Sequence, residues 1–96
     1  MPPKQLTRTY IIRGRVQGVG FRWFVEKEAS EIGVAGWVRN NDNGTVEVLA
    51  TGTSEQLSAL HKCLREGPRA ARVDEVEVTD AQPVEGLKAF SIEGAW

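Results

Sequence analysis

A glycine-rich segment followed by an arginine is the part of this sequence whose residue types and spacing point most directly to chemistry. The segment Gly14–Gly20 holds three glycines in seven residues, and Arg22 follows two positions later. A loop of this kind that leads into a helix presents unpaired N–H groups and the positive end of the helix dipole, which together bind anions. The planar guanidinium of Arg22 could hold two oxygens of the same anion. A structural turn beside a solvated arginine is the alternative.

Two common phosphate-binding loops do not fit this segment. A Walker A loop needs Gly-Lys followed by Ser or Thr, and the sequence has no such tripeptide. The dinucleotide-binding fingerprint, read from Gly18 and Gly20, would need a third glycine where Trp23 stands. An anion site here must therefore be of another kind.

The elements that must position the loop follow from hydrophobic periodicity and from turn residues. Alternation predicts strands, and an apolar stripe at helical spacing predicts a helix from Phe21 that ends at Gly33. Ser54 is the expected cap of a second helix, and Asn43-Gly44 is typical of a tight hairpin. The predicted order is strand 7–13, loop 14–20, helix 21–32, strand 34–40, hairpin, strand 45–51, a helix from Ser54 to Gly67-Pro68, a strand around Val73, Val76 and Val78, and a short strand 89–92.

This βαββαβ order predicts an α+β fold, a ferredoxin-like split βαβ sandwich with an antiparallel sheet and two helices on one face. The crossover through the first helix makes strands one and two parallel to each other. Their C-terminal ends therefore share one edge of the sheet. The connectivity alone brings the Gly14–Gly20 loop, the start of the first helix and Asn40 together.

Two sequence strings resemble the acylphosphatase family. They are Gly14-Arg15-Val16-Gln17-Gly18-Val19-Gly20-Phe21-Arg22 and Gly36-Trp37-Val38-Arg39-Asn40, the latter followed by Gly44-Thr45-Val46. The likeness covers roughly Thr9 to Ile92 in matching order. It implies an enzyme that hydrolyses acyl phosphates, which are carboxyl-phosphate mixed anhydrides, to a carboxylate and inorganic phosphate, with the phosphate as product and inhibitor.

The resemblance also implies roles for individual residues. Arg22 would hold the substrate phosphate, and Asn40 would position the attacking water. Asn41 follows directly, but the Gly-Trp-Val-x-Asn string selects Asn40. The segment Glu93–Trp96 departs from the family, which often has arginine where Glu93 stands. The loop residues whose backbone would bind the phosphate are Arg15, Val16, Gln17, Gly18, Val19 and Gly20.

Length and composition limit the remaining possibilities. The chain has 96 residues, 41% of them hydrophobic and 26% charged, which predicts one folded domain at 7–96 after a flexible tail at 1–6. A net charge of −1 argues against a nucleic-acid partner. No apolar run is long enough to span a membrane, and the first residues do not resemble a secretory signal. Since Cys63 is the only cysteine, no intramolecular disulfide is expected, which fits the reducing cytoplasm, where we expect the protein to be located. The protein is also expected to be a monomer.

Other residues with reactive side chains have simpler interpretations, and neither a metal nor a cofactor is expected. His61 has no partners at metal-ligand spacing, and Cys63 lies beside an apolar stripe. Trp37 and Phe90 are predicted to lie in the core, whereas the helical period does not place Trp23. Three glutamates are expected on the solvated sides of the first helix: Glu26, Glu28 and Glu31.

Two other functions share this element order. An RNA-binding RRM would stack bases on aromatic side chains of strands one and three, but here strand one has only Tyr10 and strand three has none. A regulatory module of ferredoxin-like fold would keep the anion-binding loop and catalyse nothing. Turnover of an acyl phosphate separates these alternatives.

Overall fold

The computed structural model describes residues 4–94, and the predicted order of strands and helices is found there. β1 begins at Leu6, one residue before the predicted start of the domain. No helix within residues 4–94 is long and apolar enough to cross a membrane. The elements are β1 (Leu6–Arg15), α1 (Phe21–Ile32), β2 (Ala35–Asn40), β3 (Val46–Gly52), α2 (Ser54–Glu66), β4 (Arg72–Asp80) and β5 (Phe90–Ile92).

The strands form one sheet in the order β4-β1-β3-β2-β5. β3 is antiparallel to both β1 and β2, so β1 and β2 run in the same direction, and the ferredoxin-like prediction is confirmed. The complete sheet is mixed rather than purely antiparallel, because β5 pairs with β2 in parallel. The chain crosses from the β4 edge to the opposite edge over residues 81–89 and reverses direction. Since β2 already runs opposite to β4, the returning strand is parallel to β2.

The core lies between the helices and one face of the sheet. Each helix contributes the apolar stripe that its periodicity predicts. Each fully buried Val, Leu, Ile or Phe side chain contributes about 1.5–3 kcal/mol to stability. β2 alternates, with Val38 buried and its neighbour Arg39 exposed, so Asn40 ends the strand on the core-facing side. The buried side chains include Phe21, Val25 and Ala29 of α1, Leu57, Leu60 and Leu64 of α2, and Tyr10, Ile12, Val38, Val46 and Val48 of the sheet.

The helices end as predicted, but α2 begins differently. Gly33, with φ 98°, closes α1 by donating its N–H to the carbonyl of Ala29 at 2.9 Å. The N-cap of α2 is Thr53 rather than Ser54. Thr53 Oγ1 accepts from the Gln56 N–H at 3.2 Å, and Gln56 Oε1 accepts from the Thr53 N–H at 2.8 Å. This reciprocal capping box satisfies two N–H groups, which a serine cap alone would not do.

The hairpin between β2 and β3 is longer than the Asn43-Gly44 dipeptide predicts. The Asn41 N–H donates to the Thr45 carbonyl at 2.9 Å, so the bond encloses residues 42–44. A two-residue type I′ turn needs positive φ at both central positions. Gly44 has φ 90°, but no non-glycine residue in the described chain has a positive φ, so Asn43 does not meet this requirement.

The prediction that Trp37 lies in the core is also wrong. It faces away from the helices, half-buried, with the Arg39 guanidinium 4.6 Å from its ring centroid.

Candidate active site

Most of the predicted site residues meet in one cleft at the sheet edge where β1 and β2 end. The cleft has a volume of about 490 Å³. Its lining residues are Val16, Gln17, Gly18, Gly20, Phe21, Arg22, Trp23 and Asn40. The structure thus brings Arg22 and Asn40 together with four of the six predicted loop residues.

The other two loop residues lie elsewhere. Arg15 belongs to β1 and pairs with Arg72 of β4, because β1 continues through a register shift at Arg13/Gly14 instead of stopping at Gly14. Val19 packs against the hydrophobic core and is not among the residues that line the cleft. The loop residues that line the cleft are therefore Val16, Gln17, Gly18 and Gly20.

The side chain of Gln17 ties the loop to the β2–β3 hairpin. Its Nε2 donates to the carbonyl of Asn41 at 2.8 Å and to the carbonyl of Thr45 at 2.9 Å. These two residues are themselves joined by the bond that closes the hairpin. The loop is thereby held beside the end of β2, where Asn40 lies.

The N-terminus of α1 is open toward the cleft. Gly20 caps the helix in the left-handed conformation with φ 79°, no side chain caps it, and its first turn holds no acidic residue. Among the described residues, Phe24 is the first of the helix to donate its N–H to a backbone carbonyl, that of Gly20 at 3.0 Å. By contrast, α2 has a complete capping box and Glu55 in its first turn. The positive end of α1 is thus available to an external anion.

Arg22 lies in this first turn of α1, and its guanidinium contacts the segment after β5. Its Nη1 donates to the backbone carbonyl of Glu93 at 3.1 Å. Within residues 4–94 it forms no ion pair, whereas two arginines of β1 do. Arg8 pairs with Asp80 at 3.5 Å, and Arg13 pairs with Glu75 and Glu77 at 3.4 and 3.3 Å. Of these arginines, Arg22 is the one that lines the cleft.

Asn40 and Asn41 have different surroundings. Asn40 Oδ1 is buried and, in the part of the chain that the structure describes, is the one buried side-chain oxygen or nitrogen without a hydrogen-bond partner. Asn41 is engaged in the hairpin, where its Nδ2 donates to Thr45 Oγ1 at 3.1 Å. Buried polar atoms nearly always have partners, so an exception in a cleft marks an acceptor that a bound molecule can satisfy.

The remaining titratable side chains with perturbed pKa values lie outside the cleft. His61 lines a separate depression along α2, and burial, with smaller effects of Arg65 and Arg8, lowers its pKa. Burial, followed by the charges of Glu28 and Glu66, raises the pKa of the Cys63 thiol. Residues 4–94 contain no group of three or more His, Cys, Asp or Glu side chains that could hold a metal ion.

Comparison with known proteins decides the family. The sequence model of the acylphosphatase family matches residues 8–92. The chain belongs to the acylphosphatase family. An acylphosphatase of Koribacter versatilis is 60% identical over 90 residues, which are 94% of this chain and 82% of that protein. This identity to proteins of that name identifies the chain as a hydrolase of the acylphosphatase class.

Solved acylphosphatase structures have the same fold. The crystal structure of acylphosphatase from Bacillus subtilis matches with a TM-score of 0.88 and 42% identity, over 93% of this chain and 99% of that one. An acylphosphatase from Coxiella burnetii matches with a TM-score of 0.86 and 35% identity, over 93% of each chain. This acylphosphatase-family chain therefore shares its fold with solved structures of its relatives.

Three features of the site in this acylphosphatase-family chain were not predicted from its sequence. Trp23 lines the cleft, the Gln17 side chain fixes the loop, and the Glu93 carbonyl contacts Arg22. The departure from the family at Glu93 drew attention to the segment that contacts Arg22, but the contact itself uses the backbone carbonyl of Glu93 and not its side chain. Ala95 and Trp96, the rest of the segment singled out in the sequence, lie outside the described residues.

Proposed function

We propose that this chain hydrolyses acyl phosphates to a carboxylate and inorganic phosphate by direct attack of water on phosphorus. Arg22 and the backbone N–H groups of the loop, together with those at the start of α1, hold the phosphate, and Asn40 positions the water. Supporting this proposal are the membership of the family, the open cleft and the unpaired carbonyl oxygen of Asn40 within it. The last of these observations carries the mechanism.

The phosphate end of the substrate suits the first turn of α1. The N–H groups of this turn and the guanidinium of Arg22 supply fixed positive potential in a partly desolvated cleft. Because such donors are already in position, they stabilise a transition state without having to reorganise. Val16 and Phe21, which are almost fully buried, form the apolar floor. A charge held over such a floor is screened less than one in open water.

Asn40 suits the attacking water. A buried carbonyl oxygen that lacks a donor accepts a hydrogen bond from water, and the same amide can donate from its nitrogen. The side chain can thus orient a water without removing its proton, as a glutamine does in some GTPases. Phosphoryl transfer passes through a loose transition state in which positioning and charge stabilisation supply most of the catalysis, so a neutral side chain suffices.

The reaction balances without an additional acid. The water oxygen forms a bond to phosphorus while the bond between phosphorus and the acyl oxygen breaks. The carboxylate leaves with the electron pair, and the protons of the water remain with the product phosphate or pass to solvent. Because a carboxylate is stable as an anion, the leaving group needs no proton from the protein.

Purified protein should hydrolyse benzoyl phosphate steadily, with inorganic phosphate as a competitive inhibitor and with no loss of rate in EDTA. Phosphate binding without turnover would instead indicate a non-catalytic anion-binding module. Inhibition that is not competitive would contradict the common phosphate site. A requirement for added metal would contradict the proposed absence of a metal ion.

Nucleic acid is not part of this proposal. An RRM would need exposed aromatic side chains on β1 and β3, yet Tyr10, the aromatic residue of β1, is fully buried, and its hydroxyl donates to the Leu57 carbonyl at 3.4 Å. The cytoplasmic location, the monomeric state and the lack of a membrane partner remain predictions from the sequence.

A further inference from the structure

The side chain of Trp23 is the exposed aromatic surface of the cleft. It is 72% exposed, compared with 38% for Val78 and 45% for Val84, the other exposed large hydrophobic residues within 4–94. A single exposed apolar side chain is common on protein surfaces, and this exposure alone has no consequence. Trp23, however, lines the same cleft as Arg22 and Asn40.

We propose that the indole of Trp23 binds the acyl group of the substrate, so that the enzyme favours acyl phosphates with apolar and above all aromatic acyl groups. This inference rests on the proposed function. It makes Trp23 a specificity-determining residue, whereas Arg22 and Asn40 act on the phosphate and the water.

The geometry of α1 explains the position of the indole. Phe21 and Val25 point into the core, and a residue two positions after Phe21 lies on nearly the opposite side of a helix. Helical side chains lean toward the N-terminus and cover the preceding turn. Trp23 therefore extends over the start of α1, beside the N–H groups proposed to bind the phosphate, and cannot join the core.

An exposed aromatic surface at this place suits the chemistry of the substrate. An acyl phosphate has a charged end that the helix N-terminus and Arg22 would bind and an apolar end that would otherwise stay in water. The cleft volume of about 490 Å³ far exceeds the space that a phosphate group needs, since a water molecule occupies about 30 Å³. Val16 and Phe21 are almost fully buried, so the accessible aromatic face in this cleft is that of Trp23.

The test compares benzoyl phosphate with acetyl phosphate in the wild-type protein, Trp23→Ala and Trp23→Phe. In Trp23→Ala the ratio of kcat/KM for benzoyl phosphate to that for acetyl phosphate should fall about tenfold, which corresponds to about 1.4 kcal/mol of lost contact. Trp23→Phe keeps an aromatic face and should retain most of the ratio. Val84→Ala removes exposed apolar surface outside the cleft and should leave the ratio unchanged. Equal losses on both substrates would overturn the inference.

A binding measurement keeps the result separate from the proposed catalysis. Phenacylphosphonate and acetonylphosphonate carry a CH₂ group in place of the bridging oxygen of benzoyl and acetyl phosphate and cannot be hydrolysed at that position. Calorimetry should show tighter binding of phenacylphosphonate to the wild-type protein, and Trp23→Ala should reduce this preference about tenfold. If the wild-type protein hydrolyses neither substrate, the proposed function fails, and these two ligands still decide the role of Trp23. No preference in the wild-type protein would overturn that role.

Discussion

The guanidinium of Arg22 is hydrogen-bonded to the backbone carbonyl of Glu93, with Nη1 and the oxygen 3.1 Å apart across 71 positions of sequence. The Glu93 N–H in turn donates to the Val38 carbonyl at 2.8 Å, two residues before Asn40. The two proposed catalytic residues are therefore connected through the segment that follows β5. This connection holds the guanidinium at the cleft, and among residues 4–94 its remaining N–H groups are left for a ligand.

Arg22→Lys should lower kcat/KM for benzoyl phosphate at least about 100-fold. An ammonium group keeps the charge but cannot form two parallel N–H bonds to phosphate, and one lost preorganised donor costs about 3–4 kcal/mol. The matched control is Arg13→Lys, which should stay within about tenfold because Arg13 is paired with Glu75 and Glu77 away from the cleft. Folded Arg22→Lys with wild-type activity would rule out the bidentate contact.

Glu93→Pro should lower kcat/KM about fivefold, whereas Glu93→Ala should have little effect. Proline removes the N–H that anchors this segment to Val38, and one such hydrogen bond contributes about 1 kcal/mol. Alanine keeps both backbone bonds, and the acidic side chain takes part in neither. Steady-state kinetics of the two variants test this; a loss of activity in Glu93→Ala would show that the carboxylate matters.

Asn40→Ala should lower kcat about 100-fold or more while the inhibition constant of phosphate changes little, because Asn40 acts on water and not on the phosphate. Asn41→Ala should have a much smaller effect on kcat, since its side chain bonds to Thr45 within the hairpin. Turnover and phosphate inhibition measured on both variants test the assignment. The reverse pattern would place the catalytic residue one position later.

Gln17→Ala should destabilise the fold by about 1–3 kcal/mol, because it leaves the part-buried carbonyls of Asn41 and Thr45 without this donor. It should also weaken phosphate inhibition, because the loop is no longer tied to the end of β2. Urea unfolding and phosphate inhibition measure the two effects. Gln82→Ala changes an exposed glutamine and serves as the control. Unchanged stability would mean that the loop holds its position without this side chain.

Stability should fall as the pH is lowered from about 7.5 to about 5.5, and His61 should account for part of the fall. Burial lowers the pKa of His61 in the folded chain, so the unfolded chain binds the proton at a higher pH and is favoured on acidification. In His61→Gln the free energy of unfolding, measured with urea, should decrease less over this pH range, while kcat stays similar to that of the wild-type protein. An equal decrease in the variant would contradict the lowered pKa.

The sequence by itself determined the elements and the convergence of the site. The spacing of Phe21, Val25 and Ala29 selects the buried side of α1, because only one side of a helix at that period can face the core. The βαβ connection then makes β1 and β2 parallel, which places Asn40 beside the loop whatever the side chains do. Periodicity and connectivity are local properties of the chain, and a sequence contains them in full.

Only the tertiary structure decided how the site is held and what its cleft offers. The Gln17 contacts to the hairpin and the Arg22 contact to Glu93 join residues 24 to 71 positions apart, and long-range hydrogen bonds leave no periodic pattern in a sequence. Trp23 is not part of the apolar stripe of α1, so the helical periodicity shows only that Trp23 does not lie in the core. Its place at the cleft depends on where the end of β2 and the loop lie around the helix N-terminus. That arrangement exists only once the sheet has formed.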